Sequence, residues 1–154
     1  MSARWFIGLY ARRQCMIERV LVPMDESEMA QRALEYAIEA HPDATITVLN
    51  VVGEPSPMMG QATGLALADD VEETAEEYAS EVLDRARAVA ADQGVEIETA
   101  VAAGHPARAI LNTAPDYDVI VLGTHGGSLS DRLLIGNVAE KVFRQSPVTV
   151  TVVR

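Results

Sequence analysis

Short apolar runs and amphipathic stretches take turns along this chain from residue 16 to its end. A sequence that alternates in this way has few folds open to it. The runs at Arg19 to Pro23, Ile46 to Val52 and Asp118 to Leu122 are nearly continuous. Those at Val95 to Ala103 and Val148 to Val153 alternate apolar with polar residues. Between the first two, Ser27 offers a capping oxygen, and Met29, Ala30, Ala33, Leu34, Ala37 and Ile38 recur at helical spacing. A long amphipathic stretch begins at Asp69 and stops at Gly94, where a C-terminal glycine cap belongs. Two further helices are expected from Pro106 to about Ala114 and from Val138 to Arg144. Residues 53–68 carry Pro55, Pro57, Gly60 and Gly64 and read as a loop, in which Met58 and Met59 could cover a ligand.

Five strands alternating with four helices predict parallel β-α-β units with right-handed crossovers, an α/β fold of three layers, α/β/α. Strands buried on both faces read as continuous runs, and half-exposed edges alternate. The runs around Val20, Val48 and Ile120 therefore belong in the middle, and those at Val95 and Val148 at the edges. The order 3-2-1-4-5 satisfies this, in a five-stranded, Rossmann-like parallel sheet. Its winding reverses between strands 1 and 4, and ligands of such sheets bind beyond the strand ends at that reversal. Two turns should meet there: Pro23-Met24-Asp25, and Gly123 to Gly127, which includes Thr124, His125 and Gly126.

The second turn carries the strongest chemical signal. Glycines at Gly123, Gly126 and Gly127 let backbone N–H groups approach a phosphate with no Cβ in the way. After Gly126 and nine intervening residues come Gly136 and Asn137, then a helix. Asn137 is expected to cap that helix, with Glu140 reaching back in a capping box. The free N–H groups near Val138 and Ala139 would then point at an anion in the crevice. His125 reads as a loop residue rather than a catalytic base.

Gly123-x2-Gly126-x9-Gly136 resembles the nucleotide motif of the universal stress protein family, in its ATP-binding, UspA-like subgroup. Val22 to Ser27 is similar to that family's first strand and turn, and Gly104-His105-Pro106 to its turn after strand 3. The last helix and strand, from Val138 to Val153, match as well, so the resemblance covers residues 16–154. It implies an adenine nucleotide alpha hydrolase-like domain that binds ATP, ADP or AMP and forms homodimers through the strand at 148–153. By the same resemblance Pro23 and Asp25 would border the adenosine, and Val51 would meet the adenine through its backbone. Gly123, Gly126, Gly136 and Asn137 would surround the ribose and phosphates. Asn137 stands where ATP-binding members have Ser or Thr; its amide is longer but still donates to a phosphate.

The charge narrows the partners. All 23 acidic residues and nine of the 12 cationic ones fall from Met16 onward, and the formal net charge is −11. Such a surface repels nucleic acid and anionic membranes. With Lys141 the only lysine, it also suits a salt-rich cytoplasm and a halophilic, haloarchaeal source. ATP brings about four further negative charges, so Mg²⁺ is expected with it. A single cysteine, Cys15, excludes a disulfide framework. Residues 1–15 are basic, continue none of the later pattern and read as an extension outside the domain of 16–154, with Met16 as the natural start.

Three functions fit these features. The first is a nucleotide-binding regulatory or stress-response module without efficient turnover, since no Walker A lysine and no Ser-His-Asp arrangement is present. The second is a slow ATPase or adenylyl-transferring enzyme, which would need Asp25, a metal and a water in concert. The third is a nucleotide-free interaction scaffold, with Asn137 as the sign of lost binding.

Overall fold

Each apolar run becomes a strand and each amphipathic stretch a helix. The computed structural model describes residues 16–53, 68–124 and 136–154. In chain order the elements are β1 (Arg19–Pro23), α1 (Glu28–Ala40), β2 (Thr45–Val52), α2 (Ala68–Asp92) and β3 (Glu98–Ala103). Then follow α3 (Pro106–Thr113) with a short 3₁₀ turn at Ala114–Asp116, β4 (Val119–Gly123), α4 (Asn137–Gln145) and β5 (Thr149–Val153). All strand pairs are parallel, in the order β3-β2-β1-β4-β5. The expected sheet is thus the observed one. The continuous runs are its three central strands and the alternating runs its two edges.

Period-two geometry sorts the central side chains onto two faces. Val20, Val22, Ile46, Val48, Val119 and Val121 share one core with the apolar stripes of α1 and α2. Leu21, Leu49, Ile120 and Leu122 share the other with Ala107 and Ile110 of α3 and Ala139 and Val142 of α4. Because neighbouring residues of one strand serve opposite cores, a central strand is apolar at nearly every position, which is the pattern read from the sequence.

Local chemistry fixes the element ends. Ser27 adopts an extended conformation and its hydroxyl oxygen accepts from the Ala30 N–H at 3.1 Å, so α1 has the cap its sequence promised. At the far end of α2, Gly94 has φ 70°. Its N–H donates to the Ala91 carbonyl, and the Val95 N–H donates back to Ala90. That pair of bonds is a Schellman cap, and left-handed backbone is what makes glycine the natural residue there. The cap also moves a boundary. Because the Val95 N–H closes the helix, the strand expected from Val95 begins only at Glu98, opposite Thr47.

The end of the sheet away from the cavity described below is pinned by one carboxylate. Oδ2 of Asp118 accepts from the N–H groups of both Glu18 and Arg19 at 2.9 Å, tying the start of β1 to the approach of β4. Those two amides hold the Asp118 carboxyl below the usual carboxylate range. The Arg19 guanidinium meanwhile lies 4.9 Å from the ring centre of Tyr117.

Candidate functional site

The crevice arises because two neighbouring strands part. β1 pairs with β4 at Val20–Val119 and Leu21–Ile120. On its other side β1 stays paired with β2 as far as Pro23–Leu49, and β4 stays with β5 as far as Gly123–Val153. The last residues of β1 and β4 thus diverge at the winding reversal, where the sequence pattern placed the site. A cavity of about 390 Å³ opens there, within the usual range for a small-molecule site.

Three walls enclose it. The floor is apolar, from Leu49 and Val51 of β2, Ile110 of α3 and Leu122 of β4. One side is the β1–α1 turn, with Pro23, Met24, Asp25 and Ser27, followed by Ala30 in the first turn of α1. Opposite it stands the start of α4, with Gly136, Asn137, Val138 and Ala139.

Gly123 is glycine for a reason the turn motif does not reveal. A Cβ built on it would lie 2.9 Å from Ala30 N and nearer still to the carbonyl of Met29, so α1 seats its first turn directly against the β4 backbone. No side chain fits between them. Gly123 therefore closes the gap between the α1 side of the crevice and the β4 side.

The α4 start differs by one residue from expectation. Gly136 is the N-cap, with extended backbone and no side-chain capping bond, and Asn137 is already the first helical residue. The first helical bond runs from the Glu140 N–H to the Gly136 carbonyl at 2.9 Å. Glu140 does not reach back in a capping box. Its carboxylate instead accepts from Arg144 Nε one turn later, at 3.0 Å. The consequence is chemical: no side chain of the helix itself occupies the N–H groups of Asn137, Val138 and Ala139. These residues line the cavity, and the positive end of the helix dipole lies with them.

The β1–α1 turn is held from several directions. The Ser27 N–H donates to Asp25 Oδ1 at 2.9 Å. The Met24 N–H donates to the Leu49 carbonyl, and the Met24 carbonyl accepts from Asn50 Nδ2, both at 2.9 Å. Arg85 of α2 reaches the Glu26 carbonyl at 3.2 Å.

Of the residues singled out from sequence, the structure brings Pro23, Met24, Asp25, Val51, Gly123, Gly136, Asn137 and Val138 to this one cavity. Thr124 is not among the residues that line it. Its N–H continues the β4–β5 ladder, donating to Val153 at 2.9 Å. His125, Gly126 and Gly127, the loop methionines Met58 and Met59, and residues 1–15 lie outside the described residues. Sequence reasoning missed Ser27, Ile110 and Asn50. Ile110 had a signal, since it stands one helical turn after Pro106 at the N-terminal end of α3. Asn50 had a fainter one, a lone amide in an otherwise apolar run from Val48 to Val52.

The chain is similar to several known proteins. A model of the universal stress protein family matches residues 16–154. Universal stress protein YxiE of Bacillus subtilis is 31% identical over 148 residues, covering 90% of this chain and 100% of the relative. Among solved structures, universal stress protein UspA from Lactobacillus plantarum aligns with a TM-score of 0.68 at 27% identity, covering 90% of this chain and 98% of that one. A universal stress protein solved in complex with cAMP aligns with the same TM-score at 25% identity and the same coverage.

Proposed function

The chain belongs to the universal stress protein family, and from that premise we propose that its crevice binds an adenine nucleotide and that the protein acts as a dimeric regulatory module without efficient turnover. The observation that carries this reading is the pairing within one cavity of an apolar floor and a helix start whose N-cap is a glycine, with no capping side chain among the described residues. An aromatic base is stabilised against Leu49, Val51, Ile110 and Leu122. A phosphate is stabilised by the N–H groups and dipole of α4. The distance between base and phosphate in one nucleotide requires both features in a single site, and the cAMP complex of the structural neighbour supplies the analogy.

The fit rests on this chain's own groups. Asp25 and Ser27 present oxygens on the side opposite α4, suited to the hydroxyl groups of a ribose. Asn137, exposed at the first helical position, can donate an amide N–H to a phosphate oxygen. Mg²⁺ bound with ATP would offset phosphate charge in an acidic protein. Turnover would need a group that activates water. Ser27 Oγ already accepts from the Ala30 N–H and Asp25 Oδ1 from the Ser27 N–H; contact with a ribose hydroxyl adds to these bonds, whereas a base for water would have to give them up.

The dimer is proposed through β5. It is an edge strand with one side unpaired in the sheet, and an exposed edge invites another chain. On α4, which packs against β5, Phe143 is 59% exposed. One helix thus has its start at the cavity and its body beside the proposed interface, which provides a route by which an occupied site could affect assembly.

Thermal unfolding with AMP, ADP and Mg-ATP tests the reading. A ligand at about 100 times its Kd adds roughly 2.7 kcal/mol, several degrees in a domain of this size. A saturable shift is expected with at least one of the three. No shift with any of them would leave the nucleotide-free scaffold as the better reading, and steady phosphate release by the purified protein would favour the enzyme.

A further inference from the structure

We propose that Asn50 is a positioning residue for the nucleotide site: from the interior of β2 its side chain sets the height and orientation of the Pro23–Asp25 turn. The inference rests on the nucleotide reading for its effect on affinity, but not for its effect on the turn.

Asn50 is only 7% exposed and stands in a central strand between Leu49 and Val51. Burying an amide where Val or Ile would pack is unfavourable unless its hydrogen bonds are met. Thr47 is the other buried polar residue among the described ones, and it bonds to Glu98 of the neighbouring strand. Asn50 instead donates to the carbonyl of Met24, the first residue after β1.

Geometry then supplies the role. The pairing of β1 with β2 ends at Pro23–Leu49, and that of β1 with β4 ends two residues earlier. Past these points the turn has no sheet ladder on the β4 side. Two bonds to adjacent residues of β2 take over: the Met24 N–H to the Leu49 carbonyl, and the Asn50 amide to the Met24 carbonyl. Together they grip both polar groups of the Met24 backbone. The next residue is Asp25, which lines the cavity and anchors Ser27. Without the amide, the Met24 peptide can rotate about a single remaining bond, and the Asp25 carboxylate moves with it. Asn50 does not line the cavity itself, so it acts through the turn.

The full-length protein carrying Asn50→Leu, close in size but without a donor, is the first variant. Thr47→Val is its control, a buried polar loss in the same strand away from the site. Two readouts are taken at molar KCl: amide hydrogen exchange of the ligand-free protein, and calorimetric titration with AMP and Mg-ATP. In Asn50→Leu the Met24 amide should exchange at least several-fold faster while Val20 to Val22 keep their protection. Its Kd should rise about three- to tenfold, the loss of one hydrogen bond. Thr47→Val should lower the melting temperature and leave both readouts unchanged. Asn50→His, which retains an N–H donor at the same remove from the backbone, should restore part of the protection. Unchanged Met24 exchange in Asn50→Leu, or equal Kd increases in Asn50→Leu and Thr47→Val, would overturn the assignment. Should the wild type bind neither nucleotide, the binding reading fails and hydrogen exchange still decides the role of Asn50. If Asn50→Leu does not fold, the same measurements on Asn50→Ser decide, because its hydroxyl is too short to reach Met24.

Discussion

At Gly123 the requirement for glycine is steric, because the backbone of Met29 and Ala30 occupies the space a Cβ would need. Gly123→Ala should therefore lower stability by about 1–3 kcal/mol, as overpacking commonly does. Gly53→Ala is the matched control, having no atom of the described residues within 4 Å of its added Cβ. Equal melting temperatures for the two variants would contradict the close seating of α1. Asp118 gives a second residue-level test. Its carboxyl is held low by the Glu18 and Arg19 amides, so the ionised form favours the folded state. A depressed folded value contributes stability above the unfolded pKa, near 3.9, that is lost as pH falls through the folded value. Wild type should exceed Asp118→Asn in melting temperature at pH 7, and the gap should close below about pH 4. A gap independent of pH would mean the charge has no part in it. Residue-scale facts of this kind were only partly legible beforehand. Glycine-rich turns announce themselves, but whether a glycine admits a ligand or a helix depends on the three-dimensional neighbour, about which the sequence is silent.

The helix α4 brings two opposed effects to one position. Asn137 is its first residue, close to the positive end of the dipole, and the N-cap before it is a glycine without a side chain to offer. Asn137→Asp places a carboxylate there, which should stabilise the helix by about 0.3–1 kcal/mol. The same charge should repel a phosphate and raise the nucleotide Kd. The ligand-free melting temperature should thus hold steady or rise while the nucleotide-induced shift shrinks. If both fall together, the substitution acts through misfolding; if the shift persists, the phosphate does not lie at α4. The strands and helices themselves could be read almost entirely from periodicity: continuous against alternating runs gave the centre and edges of the sheet, and Ser27 and Gly94 marked helix ends where the caps formed. Boundaries set by backbone bonding were less visible. The strand expected from Val95 starts at Glu98 because the Schellman cap uses the Val95 N–H, and the α4 cap falls on Gly136 because its carbonyl accepts the first helical bond, from the Glu140 N–H.

In the whole molecule the crevice opens where β1 and β4 separate, and the reversal of winding there is legible in the alternation of apolar runs. Asn50 and Ile110 reach or support the site from β2 and α3, elements distant in sequence, so they had to be seen in place. The acidic surface makes a prediction at the same scale. With a net charge of −11, self-repulsion should weaken the fold at low ionic strength, and molar KCl, with screening within about 3 Å, should raise the melting temperature and favour a dimer in light scattering. A monomer with salt-independent stability would contradict both expectations. If the crevice between β1 and β4 holds an adenine nucleotide, NMR titration of the labelled protein with AMP and Mg-ATP will report it amide by amide. Saturable shifts of the Met24, Asp25, Val51, Asn137 and Val138 amides are expected with at least one of the two nucleotides. Spectra unchanged by both, or shifts confined to another part of the surface, would contradict nucleotide binding in the crevice.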